Sequence, residues 1–450
     1  MPSMAYALLS IFLLHLTAAN STALLDSESD FRKGFRLPVV HASYSGTHVK
    51  RSNSMHLSNQ NRFSYLVSAR IGGQTFPMIL DTGSSDLMNA RHLTSPFQLG
   101  YLKGSVSGRA ARDVVALGSF EIRPQVFGLV NDVKDMNLGE NGHSGILGLA
   151  FPSEASISPS SGPTILENIF QNLDNPYFAL KLGTQPGLND LTSSLTLGQL
   201  DEKYASNLSD FHFIPVSTAG ASGYTFWKVP MQGITVNEVS VPLSSSSVRG
   251  VRRGQIAVVD SGTTLMLGPT IDVDAIWKAM GSSARYSQDE GCWQVRCNKA
   301  MDIRIFLGQK ENVKEFPIEY EDANWEYGGD DDGWCMGGIQ ANDDVDSGDW
   351  LLGGTFLRSV YALHFVGNAT HSPRMGFLGT VDRKVGYEQF RAKRGPDQNQ
   401  SSSEPPVTIH GGLERRQMPA PPLLYTLGSA GGFVGGAAAI TVFRLRRRFL

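Results

Sequence analysis

Two short carboxylate motifs constrain this chain more than any other feature. Asp81-Thr82-Gly83-Ser84-Ser85 follows the apolar run Phe76-Pro77-Met78-Ile79-Leu80, and Asp260-Ser261-Gly262-Thr263-Thr264 follows Ile256-Ala257-Val258-Val259. A single Asp-Thr-Gly means little, because Asp, Ser and Gly are ordinary turn residues. Two copies, each closing a strand-like apolar run, read as the halves of one carboxylate pair. A second element also repeats: Gly145-Ile146-Leu147-Gly148-Leu149 follows the first motif and Trp350-Leu351-Leu352-Gly353-Gly354 the second. Glycine there permits close backbone approach inside a sheet, so one local construction is expected twice.

Between Arg62 and about Gly379 the chain is a succession of short alternating or apolar runs broken by Gly, Asn, Asp and Ser, as in Tyr65–Ile71 and Ser194–Gly198. Such spacing implies a mainly β protein. Helical periodicity is sparse, with Thr164–Leu173 and Ile271–Met280 as the candidates. Pro215 and Gly220-Ala221-Ser222-Gly223 interrupt the strand pattern, so a first lobe is expected over 52–216 and a second over 217–382. A formal net charge of −3 gives no reason to expect a nucleic-acid partner.

The ends have a different character. Residues 1–19 read as a signal peptide, with an apolar stretch from Ala5 to Leu16 followed by the small residues Thr17, Ala18 and Ala19. The segment before that stretch carries no Lys or Arg, which leaves a non-cleaved anchor as the alternative. Residues 20–51 read as a propeptide ending in the dibasic pair Lys50-Arg51, a processing site for a dibasic-specific protease. Residues 383–422, rich in Ser, Pro and Gln, are expected to form a disordered stem. Leu423–Phe443 contains no charged residue and would extend about 31 Å as a helix, enough to span a bilayer. The basic tail at 444–450 then lies in the cytosol and the β domain in a lumen or outside the cell. A removed lipid-anchor signal is the competing reading of the same hydrophobic stretch.

Of the three cysteines, Cys292 and Cys297 flank only four residues. A Cys297–Cys335 bridge closes a longer loop and restrains the unfolded chain more, by roughly 4 kcal/mol, and is the favoured pairing. Nothing points to a metal or cofactor: the ten histidines include no His-Glu-x-x-His, and Asp330-Asp331-Asp332-Gly333 lacks the alternate-ligand spacing of a calcium loop. His143 sits in a glycine-rich stretch and reads as packing or solvent-exposed.

Two carboxyl groups held together cannot both ionise easily, so they share one proton over a wide acidic range. One can then act as a base towards water while the other protonates an amide carbonyl. Phe76–Leu87, Gly142–Phe151, Ala257–Thr264 and Leu351–Leu357, in that order, resemble the four motifs of the pepsin-like aspartic endopeptidases, over about residues 62–380. The resemblance implies an all-β, bilobal fold with the substrate cleft between homologous lobes. It implies Asp81 and Asp260 as the catalytic pair and a polypeptide substrate. Thr82, Gly83, Ser84, Ser261, Gly262 and Thr263 become the active-site loops: Thr82 and Ser261 tie them together, and Ser84 and Thr263 orient the carboxylates. Oligomeric state and substrate preference stay open.

The resemblance also implies a flap hairpin, for which Tyr101, Gly104 and Ser105 match the pattern. Two departures stand out. The stretch between Asp81 and Tyr101 is about half its usual length and has Met88 where a Trp is usual, and Gly354 stands where the family usually has Asp. They leave open an alternative in which a pepsin-like surface or binding protein keeps the fold with impaired turnover.

Overall fold

A computed structural model of the chain describes residues 35–41, 64–89, 95–100, 105–118, 120–134, 144–170, 173–184, 192–325, 333–345 and 347–397. Strands dominate, in three sheets. The largest described sheet has thirteen strands and the next eight, with a four-stranded sheet around Cys292–Arg296.

The repeated construction occurs as expected. Gln74–Asp81 runs parallel to Gly145–Gly148, which pairs on its other side with Leu87–Asn89. In the second half Gln255–Val259 runs parallel to Trp350–Leu352, which pairs on its other side with Met266–Gly268. Each carboxylate motif is therefore the turn by which the chain leaves one strand and returns two places over, around the glycine element. The glycines permit it. A Cβ on Gly148 would lie 2.6 Å from the Asp86 carbonyl oxygen, and one on Gly353 would lie 2.2 Å from that of Leu265.

The expected boundary at 216/217 does not divide the sheets. Val360–Phe365 pairs with Tyr177–Lys181, and Arg374–Gly379 pairs with His212–Pro215, so strands from the end of the chain complete a sheet begun in its first half. Phe35–His41, within the segment read as propeptide, also belongs here and pairs with both Ser194–Leu197 and Tyr65–Ile71.

The two expected helices are present as Ile165–Phe170 and Thr270–Lys278. The first opens on a reciprocal cap in which the Thr164 amide donates to the Glu167 carboxylate and the Glu167 amide to the Thr164 hydroxyl. A third corrects the reading of a stem from residue 383: Arg383–Arg394 is a helix. Asp382 caps it by accepting from the Lys384 and Val385 amides, and Arg391, Lys393 and Arg394 in its last turn suit the negative end of the helix dipole. Its buried residues are Gly386 and Phe390 alone, too sparse a stripe to stand out in a charged sequence. Asp397 beyond it pairs with Arg391 at 2.6 Å and Lys299 at 3.2 Å. No helix among the described residues is long and apolar enough to cross a membrane. The expected span at 423–443, the signal peptide at 1–19, the Lys50-Arg51 pair and 398–422 lie outside the described residues.

Candidate active site

The two motif turns meet. The Thr82 hydroxyl donates to the Val259 carbonyl at 3.0 Å and accepts from the Ser261 amide at 2.9 Å. Reciprocally, the Ser261 hydroxyl donates to the Leu80 carbonyl at 2.8 Å and accepts from the Thr82 amide at 3.1 Å. Four buried hydrogen bonds thus cross between the halves through two small side chains, each used as donor and acceptor. An aliphatic residue at either position would leave buried backbone groups unpaired.

The carboxyl groups are held with matching symmetry. Asp81 accepts from the Gly83 amide at 2.9 Å and the Ser84 hydroxyl at 2.6 Å. Asp260 accepts from the Gly262 amide at 2.8 Å and the Thr263 hydroxyl at 2.5 Å. Glycine is required because each loop closes over the opposite carboxyl: a Cβ on Gly83 would stand 2.7 Å from the Asp260 carboxyl carbon, and one on Gly262 2.4 Å from Asp81 Oδ1.

Both aspartates are fully buried, and their carboxyl groups lie side by side between the two glycines. Burial raises Asp81 well above the ordinary carboxylate range, and the negative charge of Asp260 raises it further. Burial also raises Asp260, against the hydrogen bonds from Thr263, Gly262 and Asp81 that stabilise its anion. The pair therefore keeps one proton where isolated carboxylates would have lost theirs.

A family model described as eukaryotic aspartyl protease matches residues 88–372. The chain belongs to this family. It is 30% identical over 344 residues to an aspartic protease of Phaffia rhodozyma, covering 69% of this chain and 75% of that protein. It is 27% identical over 317 residues to chymosin of Camelus dromedarius, covering 64% and 74%, and 26% identical over 372 residues to penicillopepsin-2 of Penicillium janthinellum, covering 75% and 82%. The aspartic proteinase of Irpex lacteus superposes with a TM-score of 0.58 at 20% identity, over 77% of this chain and 97% of that one. The protein is an aspartic endopeptidase of pepsin-like fold, acting on polypeptides.

Two of the departures in this protease, Met88 and Gly354, have structural answers. Met88 is buried in a cluster with Ile79, Ile146 and Val106, filling space with a flexible apolar side chain. At Gly354 a Cβ would lie 2.7 Å from Arg358 Nη1. That buried arginine donates from Nε to Asp322 at 2.6 Å, so its counter-charge comes from residue 322 and the glycine leaves room for the guanidinium. Of the flap residues, Ser105 opens the strand Ser105–Leu117, whose first residue pairs with Gly100, while Tyr101 and Gly104 lie outside the described residues. Cys297 and Cys335 are bonded, and Cys292 is buried and free.

Sequence reasoning passed over several groups around the site. Asp86, just past the first motif, is buried and accepts from the Ser156 amide at 2.8 Å. Burial pushes its pKa up to about 6. Trp227 Nε1 donates to the Leu149 carbonyl at 2.8 Å, and the Leu149 amide donates to the Asp81 carbonyl at 2.8 Å. Lys228 follows in a buried strand and is 3% exposed. A charged residue inside the run Phe226–Met231 was the available signal.

Proposed function

We propose that Asp81 and Asp260 catalyse hydrolysis together, at acidic pH, through one shared proton. The observation that carries this reading is the juxtaposition of two fully buried carboxyl groups, each held by a hydroxyl and an amide of its own loop and each covered by the glycine of the opposite one. Asp260, whose anion receives the Thr263 and Gly262 bonds, is the base that takes a proton from water. Asp81, protonated because burial and the neighbouring charge favour it, gives its proton to the carbonyl oxygen of the substrate. Oxygen bonds to carbon and a tetrahedral diol forms. Proton transfer to the amide nitrogen then breaks the C–N bond, so one water is consumed for each peptide bond cut. Both carboxyls are fixed before substrate arrives, so little reorganisation accompanies the charge movement. The hairpin bearing Tyr101, Gly104 and Ser105 closes over the substrate.

The chain enters the secretory pathway, is processed after Lys50-Arg51 and is held at the membrane by 423–443. The sequence patterns of both ends support this, and the similarity to an embryonic pepsinogen of Gallus gallus, 26% identical over 317 residues, suits a precursor. A statine-type mimic of the diol tests the catalytic assignment. At about pH 4 it should bind the unmodified protease at least a hundredfold more tightly than the Asp81→Asn variant. Equal affinity would refute the shared-proton pair.

A further inference from the structure

Beside the active-site loops lies an open cavity of about 320 Å³, lined in part by Glu154, Thr225, Lys228, Arg249 and Ser347. Its position follows from the backbone. The Trp227 carbonyl accepts from the Val259 amide at 3.0 Å, next to Asp260, and the Thr225 carbonyl accepts from the Phe151 amide at 3.1 Å, two residues past Leu149. Lys228 stands opposite Val258 in the sheet, two residues from Asp260 or about 7 Å along the strand. A substrate lying extended across the pair would carry a side chain to this distance within two or three residues of the bond being cut.

The lining is an unfilled polar site. Lys228 is 3% exposed, yet among the described residues its ammonium meets a single acceptor, the Ala219 carbonyl at 3.0 Å. The Thr225 and Ser347 hydroxyl oxygens are buried without a hydrogen-bond partner among the described residues. Arg249, on an exposed loop at the rim, has no carboxylate partner among them. Buried polar groups are ordinarily paired, so the Thr225 and Ser347 hydroxyls mark where a ligand belongs. Two cations, Lys228 and Arg249, line the cavity against one carboxylate, Glu154. The excess is positive.

We propose that this cavity binds a carboxylate of the polypeptide substrate, making the protease prefer a Glu or Asp side chain at one position near the scissile bond. The acidic group accepts from Lys228 Nζ and the Arg249 guanidinium, with the Thr225 and Ser347 hydroxyls completing its shell. Charge-assisted bonds in a partly enclosed site are strong enough to discriminate Glu from its neutral isostere Gln.

The inference rests on the catalytic reading above, and paired peptides separate the two. Peptides with an apolar scissile pair would carry Glu, Gln or Lys in turn at each of the three positions on either side. For the whole protease, kcat/KM for Glu over Gln should reach on the order of tenfold at one position. Lys228→Met and Arg249→Ala should bring that ratio to near one; the second lies on an exposed loop and keeps the test valid if the first misfolds. A Glu over Gln ratio below threefold at every position, a preference for Lys, or a ratio unchanged in both variants overturns the proposal. Failure to cut any peptide would instead count against the catalytic pair.

Discussion

His364 sets a lower pH limit on the stability of this protease. It lies in Val360–Phe365, paired with Phe178 across the sheet, and is fully buried. Its ring stacks on that of Phe178 at 4.3 Å with planes 8° apart, and the Trp227 ring meets it edge-on at 4.9 Å. Neither ring nitrogen has a hydrogen-bond partner among the described residues. Burial without a partner pushes its pKa down from 6.5 to about 3. The unfolded chain thus binds this proton more readily than the folded one, and stability falls as pH drops from 6.5 through 3. That gap is worth about 5 kcal/mol in full, and about 3 kcal/mol at pH 4, a large share of an ordinary 5–15 kcal/mol. His364→Phe keeps the stacking and removes the proton site. Urea unfolding of both proteins at about pH 7, 5 and 3 isolates the effect, because the carboxyl groups titrate in both and cancel in the difference. The variant should gain about 3–5 kcal/mol relative to the parent between pH 7 and 3. A stability difference that stays the same within about 1 kcal/mol across that range would refute the reasoning.

The opposite slope belongs to Asp86, whose pKa is raised from 3.8 to about 6, so its contribution declines as pH rises through that interval. Asp86→Asn should recover up to about 3 kcal/mol relative to the parent between pH 4 and 7 by the same unfolding measurement, and no recovery would show that the buried carboxyl is otherwise compensated. Thr82→Val leaves the Ser261 amide and Val259 carbonyl unpaired, costing about 1–3 kcal/mol for each group and on the order of tenfold or more in kcat, whereas Thr82→Ser keeps both bonds. Steady-state kinetics and thermal unfolding of the two variants check this, and equal activity of Val and Ser variants would show that the cross-link is dispensable.

Much of the site was legible because the chemistry is written locally and twice. The motif, its preceding apolar run and its later glycine element each repeat, and the glycines are required by contacts as close as 2.0 Å for an added Cβ. The two helices showed a buried stripe of adequate density, as in Ile165, Leu166, Ile169 and Phe170. The helix at Arg383–Arg394 did not, since the only large side chain it buries is Phe390, beside Tyr320. The sharing of one sheet by Tyr177–Lys181 and Val360–Phe365 escaped notice because strand pairing at such separation leaves no periodic trace. His364 and Lys228 were invisible for a related reason: each is one polar residue in a strand-like run, and its burial is decided by neighbours distant in sequence, Phe178 and Trp227 for the first, Val258 for the second. Gly354 could be noticed as a departure, but only the fold reveals that Asp322 faces the Arg358 guanidinium beside it.

The central claim is that one water is activated between Asp81 and Asp260. The most direct measurement is kcat/KM at about pH 4 for a peptide with an apolar scissile pair, compared between the processed protease and its Asp260→Asn variant. Asn keeps one acceptor oxygen, enough for the Gly262 amide, and turns an NH2 towards the Thr263 hydroxyl, which can accept from it, but it cannot take the proton of water. The account predicts a loss of at least a thousandfold with the fold retained. Hydrolysis within tenfold of the unmodified protease would contradict it.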